Sequence, residues 1–194
     1  SDAHPAVVPR LPGVRARGAR RALDLGCGVG RHALLRADAG FEVEAFDGSE
    51  TGLSVLRETA AARGLTIDVK HGNADRLPYP DASADACLFV EVIEHLPRPE
   101  AALRELGRVL RPGGRLLLVF PNDRTFLLAR LAMGMWKEAF YDSGHLRQWT
   151  PRAARAALRA AGFSVLRRRS LPLPLFPLAL HHLVVAERLR DAPP

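Results

Sequence analysis

The chain has few of the residues that typify secreted or membrane-spanning proteins. Its 194 residues include only two cysteines, Cys27 in a glycine-rich stretch and Cys87 in an apolar run. Such a pair excludes a disulfide framework and favours reduced thiols. The longest apolar stretch, residues 171–185, contains three prolines and is too short to span a bilayer. Because no secretory signal is visible either, we expect a cytoplasmic protein.

Lysine is also scarce, so arginine supplies nearly all of the positive charge, and the net charge is +7. Arginine clusters at 15–21 and 167–169 keep RNA open as a partner. However, no aromatic residues are interspersed with these clusters, as single-stranded RNA recognition would require. Arg152, Arg155 and Arg159 are typical of a solvated helix face. Nucleic acid is therefore the less favoured partner.

A glycine-rich turn is the most informative feature of the sequence. Residues 22–30 read Ala-Leu-Asp-Leu-Gly-Cys-Gly-Val-Gly, an apolar strand followed by three glycines at alternate positions. A second predicted strand, 41–46, ends in Asp47. Glycine lets backbone amides approach a ligand closely, and an acid at the next strand tip can accept both ribose hydroxyls. The pattern predicts a nucleoside-binding βαβ unit.

The spacing of the glycines leaves NAD as a remote alternative ligand. Counting the G-x-G-x-x-G pattern from Gly26 places Arg31 where the third glycine should be, whereas counting from Gly28 places the tolerated Ala33 there. Asp24, two residues before Gly26, argues against NAD, because it could orient the turn or reach a ligand amino group. At 194 residues the chain also lacks room for a dehydrogenase's substrate domain, and neither of its two lysines completes a Tyr-x-x-x-Lys pair.

Strands and helices alternate along the rest of the chain. This alternation predicts a three-layer α/β, Rossmann-like fold with a mostly parallel sheet. We expect residues 1–19 to form a leader or cap and residues 20–194 to form one domain, with 122–149 as an insertion or lid on the acceptor side. The predicted strands are 22–24, 41–46, 66–71, 86–90, 115–120, 163–168 and 182–188; the predicted helices are 31–39, 49–63, 100–110 and 152–161.

Five motifs resemble those of the class I S-adenosylmethionine (SAM)-dependent methyltransferases, of the type 11-like group, in the same order and at similar spacings. They are DLGCGVG at 24–30, FDGS at 46–49, GNADRLPYPD at 72–81, DACLFVEVIEHL at 85–96 and LRELGRVLRPGGRLLLVFPN at 103–122. The resemblance covers about residues 20–189. It implies a seven-stranded sheet whose last strand is antiparallel, and it implies SAM as the cofactor.

Ligands of such sheets bind outside the carboxyl ends of the strands. This rule gathers Asp24, the glycine turn, Asp47, Asn73 and Glu91 around one crevice. The resemblance implies particular roles for residues of that crevice: the methionine part of SAM on Gly26, Cys27, Gly28 and Gly30, the ribose on Asp47 beside Gly48, and adenine on Asn73 and Ala74. The family often has aspartate at position 73, but an amide oxygen can accept the same hydrogen bond.

The segment Glu91–His95 supplies candidate catalytic groups. If it were helical, Glu91, Glu94 and His95 would share one face. It resembles a motif of ubiquinone-pathway and small-RNA O-methyltransferases, in which two glutamates and a histidine bind a divalent metal with a distant second histidine, here His145. The alternative is that His95 or His145 acts as a metal-free base. His181 and His182 have no comparable partners and are expected to be structural or surface residues.

We expect the acceptor pocket to come from 122–149, because its apolar run 126–136 could cover the crevice or lie on a membrane surface. The apolar residues 171–180 could add a second wall. The sequence therefore predicts a SAM-dependent methyltransferase acting on a small hydrophobic or aromatic molecule, at oxygen. The alternatives are an RNA methyltransferase and a SAM-binding module without turnover. The sequence predicts no oligomeric state.

Overall fold

The computed structural model describes residues 19–122, 134, 145–171 and 181–190. Its first half is a repeated strand–helix unit. The elements are β1 (Arg21–Leu25), α1 (Arg31–Asp38), β2 (Glu42–Asp47), α2 (Glu50–Ala62) and β3 (Ile67–His71). Ser49 begins α2 with its side chain accepting the Gly52 N–H (3.3 Å), the N-cap interaction that satisfies an otherwise unpaired amide.

The second half continues the alternation and ends in two neighbouring strands. The elements are β4 (Ala84–Val90), a single 3₁₀ turn (Ile93–His95), α3 (Pro99–Val109), β5 (Leu110–Pro121), α4 (Pro151–Ala160), β6 (Phe163–Leu171) and β7 (His181–Arg188). Thr150 caps α4 by accepting the Ala153 N–H (3.1 Å). No helix among the described residues is long and apolar enough to cross a membrane.

The seven strands form one sheet in the order β3-β2-β1-β4-β5-β7-β6. All neighbouring pairs are parallel except β5–β7 and β6–β7, so β7 alone runs antiparallel. The predicted seven-stranded, mostly parallel sheet is therefore confirmed. The strand order reverses between β1 and β4, which places a ligand crevice at the carboxyl ends of these two strands.

Helices bury apolar side chains on both faces of the sheet. On one face, Leu34 of α1 and Leu56 of α2 pack with Val43 and Ala45 of β2. On the other face, α3 and α4 pack against β1, β4 and β5; the fully buried members include Leu103, Leu106, Leu158, Phe89 and Phe120. Strand β4 has buried side chains on both faces, as its uninterrupted apolar sequence predicted.

Strand β5 begins earlier than predicted. We expected Pro112-Gly113-Gly114 to form a turn before a strand at 115, but Leu110 already pairs with Ala84 directly after α3. The register then shifts before Arg115 pairs with Ala86. Gly113 has φ +77°, which allows the chain to loop out and rejoin the same ladder.

Candidate functional site at the carboxyl edge of the sheet

The glycine turn after β1 is held by backbone hydrogen bonds to the end of β2. The N–H groups of Gly26 and Cys27 donate to the Phe46 carbonyl at 2.8 and 3.2 Å, and the Gly30 N–H closes the turn on the Cys27 carbonyl at 2.8 Å. Gly26, Gly28 and Gly30 all have positive φ (+72°, +53° and +80°), a conformation that favours glycine. The alternate glycines are therefore a requirement of this backbone path.

The three glycines meet different surroundings. A Cβ at Gly26 would overlap the Val92 side chain, and one at Gly30 would overlap Leu56. A Cβ at Gly28, in contrast, would have no atom within 4 Å. The lack of a side chain at Gly26 and Gly30 therefore makes room for Val92 and Leu56, whereas at Gly28 it leaves open space beside the backbone. A ligand could approach the chain closely at that point.

Asp47 fixes the turn to the end of β2. Its two carboxylate oxygens accept the Gly28 N–H at 2.7 Å and the Ser49 N–H at 2.8 Å. The side chain is half-buried, and each carboxylate oxygen has a second lone pair for another donor. Asp47 thus orders the turn and can still accept further hydrogen bonds.

Asp24 lies beneath the turn and is almost completely buried. Burial raises the pKa of this carboxyl to about 6, although the nearby Arg36 guanidinium acts in the opposite direction. Burial also lowers the pKa of Arg36 to about 10. The Asp24 Oδ2 atom is buried and has no hydrogen-bond partner. A buried carboxylate oxygen without a donor is uncommon in folded proteins, and it marks Asp24 as a candidate ligand contact.

The loop after β3 contacts the loop after β2. The Gly72 N–H donates to the Asp47 carbonyl (3.1 Å), and a His71 ring nitrogen hydrogen-bonds the Gly48 carbonyl (3.1 Å). Asn73 follows directly with an exposed side chain, and Ala74 is buried. The structure therefore brings the predicted adenine-binding pair next to the predicted ribose-binding acid.

Two charged side chains of α3 clamp the next part of this loop, residues 77–79. This clamp was not predicted from the sequence. The Arg108 guanidinium donates to the carbonyls of Leu77 (3.0 Å) and Tyr79 (2.8 Å) and pairs with Glu105 at 2.8 Å. Glu105 in turn accepts the Leu77 N–H at 2.8 Å. An isolated arginine near a helix end carries no sequence signal for such a role.

The segment after β4 does not meet the condition that would place Glu91, Glu94 and His95 on one helical face. Only Ile93–His95 forms a 3₁₀ turn, and Glu91 before it has the left-handed φ of +55°. A left-handed residue breaks helical periodicity, so Glu91 does not share a face with Glu94 and His95. Its carboxylate instead contacts the His181 ring at 2.7 Å. The expectation that His181 has no comparable partner was therefore wrong.

Glu94, His95 and His145 come together at this edge. The Leu146 and Arg147 N–H groups donate to the Glu94 carbonyl (2.9 and 3.3 Å), which brings His145 to within 5.0 Å of His95 between ring centroids. One ligand-type atom of each residue lies within 4.8 Å of the others. Burial raises the pKa of Glu94, whose Oε2 has no hydrogen-bond partner. The cluster has suitable spacing either for proton exchange or for one divalent cation.

The predicted acceptor-side insertion is described only at its ends. Asn122 is buried after β5, and residues 145–149 lead into α4 with Trp149 buried beneath the Arg147 guanidinium. The expected lid over 123–144 lies outside the described residues apart from Gly134. The predicted leader and the apolar wall at 171–180 also lie outside them, except for Ala19 and Leu171.

Comparisons with known proteins identify a methyltransferase domain in this chain. A family model for a methyltransferase domain matches residues 23–118. The chain is 36% identical over 146 residues to a probable S-adenosylmethionine-dependent methyltransferase of Mycolicibacterium smegmatis, a match that covers 75% of this chain and 52% of the relative. It is 32% identical over 160 residues to the ubiquinone biosynthesis O-methyltransferase of Maricaulis maris, covering 80% of this chain and 63% of that protein.

A solved structure extends the agreement to the fold. A SAM-dependent methyltransferase of Methanosarcina mazei superposes with a TM-score of 0.75 at 22% identity, over 98% of this chain and 100% of that one. The sheet order β3-β2-β1-β4-β5-β7-β6 is that of the class I methyltransferase fold. The chain belongs to the SAM-dependent methyltransferases. It spans 52% and 63% of the two curated relatives described above.

Proposed function

We propose that this chain transfers a methyl group from SAM to an oxygen atom of a small apolar or aromatic molecule. The observation that carries the proposal is one short segment that joins the glycine turn to the Glu94–His95–His145 cluster. Val92 packs on Gly26, and the Val92 carbonyl accepts the His95 N–H at 3.0 Å. A cofactor on the turn and a basic cluster beside it are what O-methylation requires.

Several residues are suited to hold SAM. Asp47 would accept the ribose hydroxyls, the Asp24 Oδ2 would accept the amino group of the methionine part, and the open side of Gly28 would admit that part close to the backbone. Asn73 and Ala74 would bind adenine through the amide oxygen and the backbone N–H. Bound SAM supplies a methyl group on a sulfonium, which is already activated for transfer.

The acceptor hydroxyl must lose a proton as it is methylated, and we assign that proton to His95 or His145. An imidazole is the side chain best suited to accept it near neutral pH. The buried Glu94 carboxylate lies beside both rings, so its negative charge would stabilise the imidazolium that forms. The relative from Maricaulis maris is named as an O-methyltransferase, which supports oxygen as the methylated atom.

A metal-assisted version of the reaction is the second candidate. Glu94, His95 and His145 offer one carboxylate and two imidazoles with ligand atoms within 4.8 Å of one another. Such a set could hold a divalent cation, which would lower the pKa of a bound acceptor hydroxyl. The predicted fourth ligand, Glu91, contacts His181 instead, so within the described part of the chain three residues would bind the metal.

Turnover assays with and without a chelator separate the two candidates. The protein, SAM and a panel of phenols and catechols are incubated, and S-adenosylhomocysteine and the methyl ether are both measured. A metal-free base predicts full turnover in EDTA and its loss in His95→Ala or His145→Ala. Loss of turnover in EDTA, restored by a divalent cation, would favour the metal.

The same assay tests the alternatives to a small acceptor. Methylation of RNA in place of the panel, with RNA binding that weakens as salt increases, would replace the small-molecule proposal. Binding of S-adenosylhomocysteine without turnover on the panel or on RNA would instead indicate a SAM-binding module.

A further inference from the structure

The Glu91–His181 contact joins two parts of the sheet that are far apart in sequence. Glu91 follows β4 directly, and His181 is the first residue of β7, where it pairs with Pro121 at the carboxyl end of β5. The Glu91 Oε1 and His181 Nε2 atoms are 2.7 Å apart. The contact therefore ties the start of the antiparallel strand to the crevice edge of β4.

The backbone at Glu91 is in a conformation that its side chain disfavours. Its φ of +55° lies in the left-handed region, which residues with a Cβ rarely adopt. Such a conformation persists only where neighbouring contacts enforce it. Contacts of this kind are present here: the Glu91 N–H donates to the Val119 carbonyl at 2.9 Å, and the His181 ring contacts the carboxylate at 2.7 Å.

The next residue, Val92, links the backbone conformation of Glu91 to the glycine turn. Val92 packs so closely over Gly26 that no Cβ could be accommodated there. The direction in which the chain leaves Glu91 therefore determines where Val92 lies, and Val92 supports one side of the turn. His181 is connected to the turn through Glu91 and Val92.

We infer that His181 is a positioning residue for the SAM-binding turn. By holding the Glu91 carboxylate it keeps the left-handed backbone in place, and the backbone keeps Val92 against Gly26. The inference rests on the proposed function in one respect, namely that the glycine turn binds SAM. It requires no direct contact between His181 and the cofactor.

Titration calorimetry with S-adenosylhomocysteine measures the effect without a known acceptor. We expect His181→Ala and Glu91→Ala each to weaken binding about tenfold. A change of this size corresponds to the energetic cost of one strained backbone conformation. The double variant should bind S-adenosylhomocysteine with about the affinity of the weaker-binding single variant, because both changes remove the same contact. His181→Gln should recover most of the affinity, since its amide nitrogen can still donate to Glu91.

A glycine at position 91 separates the backbone effect from a loss of charge. Glycine adopts a positive φ without a steric penalty, so Glu91→Gly should bind S-adenosylhomocysteine more tightly than Glu91→Ala. In the Glu91→Gly background, His181→Ala should have little further effect. A merely structural role for His181 would lower thermal stability without this pattern of rescue.

The chain offers a matched control in Arg115 and Glu187. These residues are also paired across β5 and β7, at 2.8 Å, but at the opposite end of the ladder from the turn. Arg115→Ala should leave the affinity unchanged. Each variant is first checked for a cooperative thermal transition.

Two different failures are distinguishable. In the first case the wild-type protein binds S-adenosylhomocysteine, but folded His181→Ala binds as tightly as the wild type, or folded His181→Gln binds no better than His181→Ala. The positioning role is then overturned and the proposed function stands. If the wild-type protein does not bind S-adenosylhomocysteine, the proposed function fails and the inference fails with it.

Discussion

Two regions meet at the carboxyl edge of the sheet, and they are built in different ways. The turn region, residues 24–49, is assembled from consecutive elements through backbone hydrogen bonds and the single Asp47 carboxylate. The histidine region combines residues 91–95 with His145 and His181, which come from distant parts of the chain. In the first region the backbone makes the site, whereas in the second the side chains do.

This difference suggests a division of work. A backbone-built region offers amides and open space that suit a ligand shared across a whole family. A region built from side chains can be altered residue by residue, which suits the part of the reaction that differs between acceptors. Changes in the turn region should therefore affect cofactor binding, and changes at Glu94, His95 and His145 should affect turnover. Glu91 and His181 are the exception, because they act on the turn through Val92.

Apart from removal of the Asp47 carboxylate, the largest effect expected on cofactor binding comes from adding one methyl group at Gly28. Gly28→Ala places a Cβ in the open space where the ligand would lie, and we expect it to weaken S-adenosylhomocysteine binding at least about 30-fold, or about 2 kcal/mol. Gly64→Ala is the matched control, because Gly64 also has positive φ (+64°) and no atom within 4 Å of its Cβ. Equal losses in the two variants would mean that general destabilisation of the protein by a strained residue, and not ligand exclusion at Gly28, causes the effect.

A smaller effect should follow from the ionisation of Asp24. Its pKa is raised to about 6, and an ionised carboxylate is needed to bind a ligand ammonium group. Affinity for S-adenosylhomocysteine should therefore be full above pH 7 and fall as the pH drops through 6, by about tenfold at pH 5. Asp24→Asn should bind weakly at all of these pH values. Calorimetry at pH 7.5 and pH 5.0 tests this, and a pH-independent affinity of the wild-type protein would contradict it.

The smallest effects come from two helix caps, Ser49 in the turn region and Thr150 at the start of α4, outside both regions. Ser49→Ala and Thr150→Ala each remove one N-cap acceptor, and each should lower the free energy of unfolding by about 1 kcal/mol. Only Ser49 lies beside Asp47, so only Ser49→Ala should also weaken S-adenosylhomocysteine binding, by about twofold. Denaturant unfolding and calorimetry on the same samples measure both quantities. A change in affinity with Thr150→Ala would argue against the separation of the regions.

The same difference explains what could be predicted from the sequence. The turn region follows from local spacing: β1, the glycines, α1 and Asp47 lie where the pattern placed them, and so does the antiparallel β7 that the family resemblance implied. The histidine region depends on contacts between distant segments. Neither the left-handed backbone of Glu91 nor its contact with His181 could be predicted from the local sequence. Helical spacing within residues 91–95 would instead have placed their side chains on one face.

Two further features depended on three-dimensional contacts. The early start of β5 at Leu110 arises because Ala84 is already available for pairing, which no turn motif reveals. The Arg108 clamp depends on loop carbonyls about thirty positions away in the chain. In both cases the deciding partner belongs to another element.

Calorimetric titration of the wild-type protein and of Asp47→Ala with SAM and S-adenosylhomocysteine, beside NADH, tests the central claim most directly. The account predicts about micromolar binding of the first two ligands, its loss in Asp47→Ala, and no binding of NADH. Binding of NADH without binding of SAM or S-adenosylhomocysteine would contradict the assignment of the glycine turn.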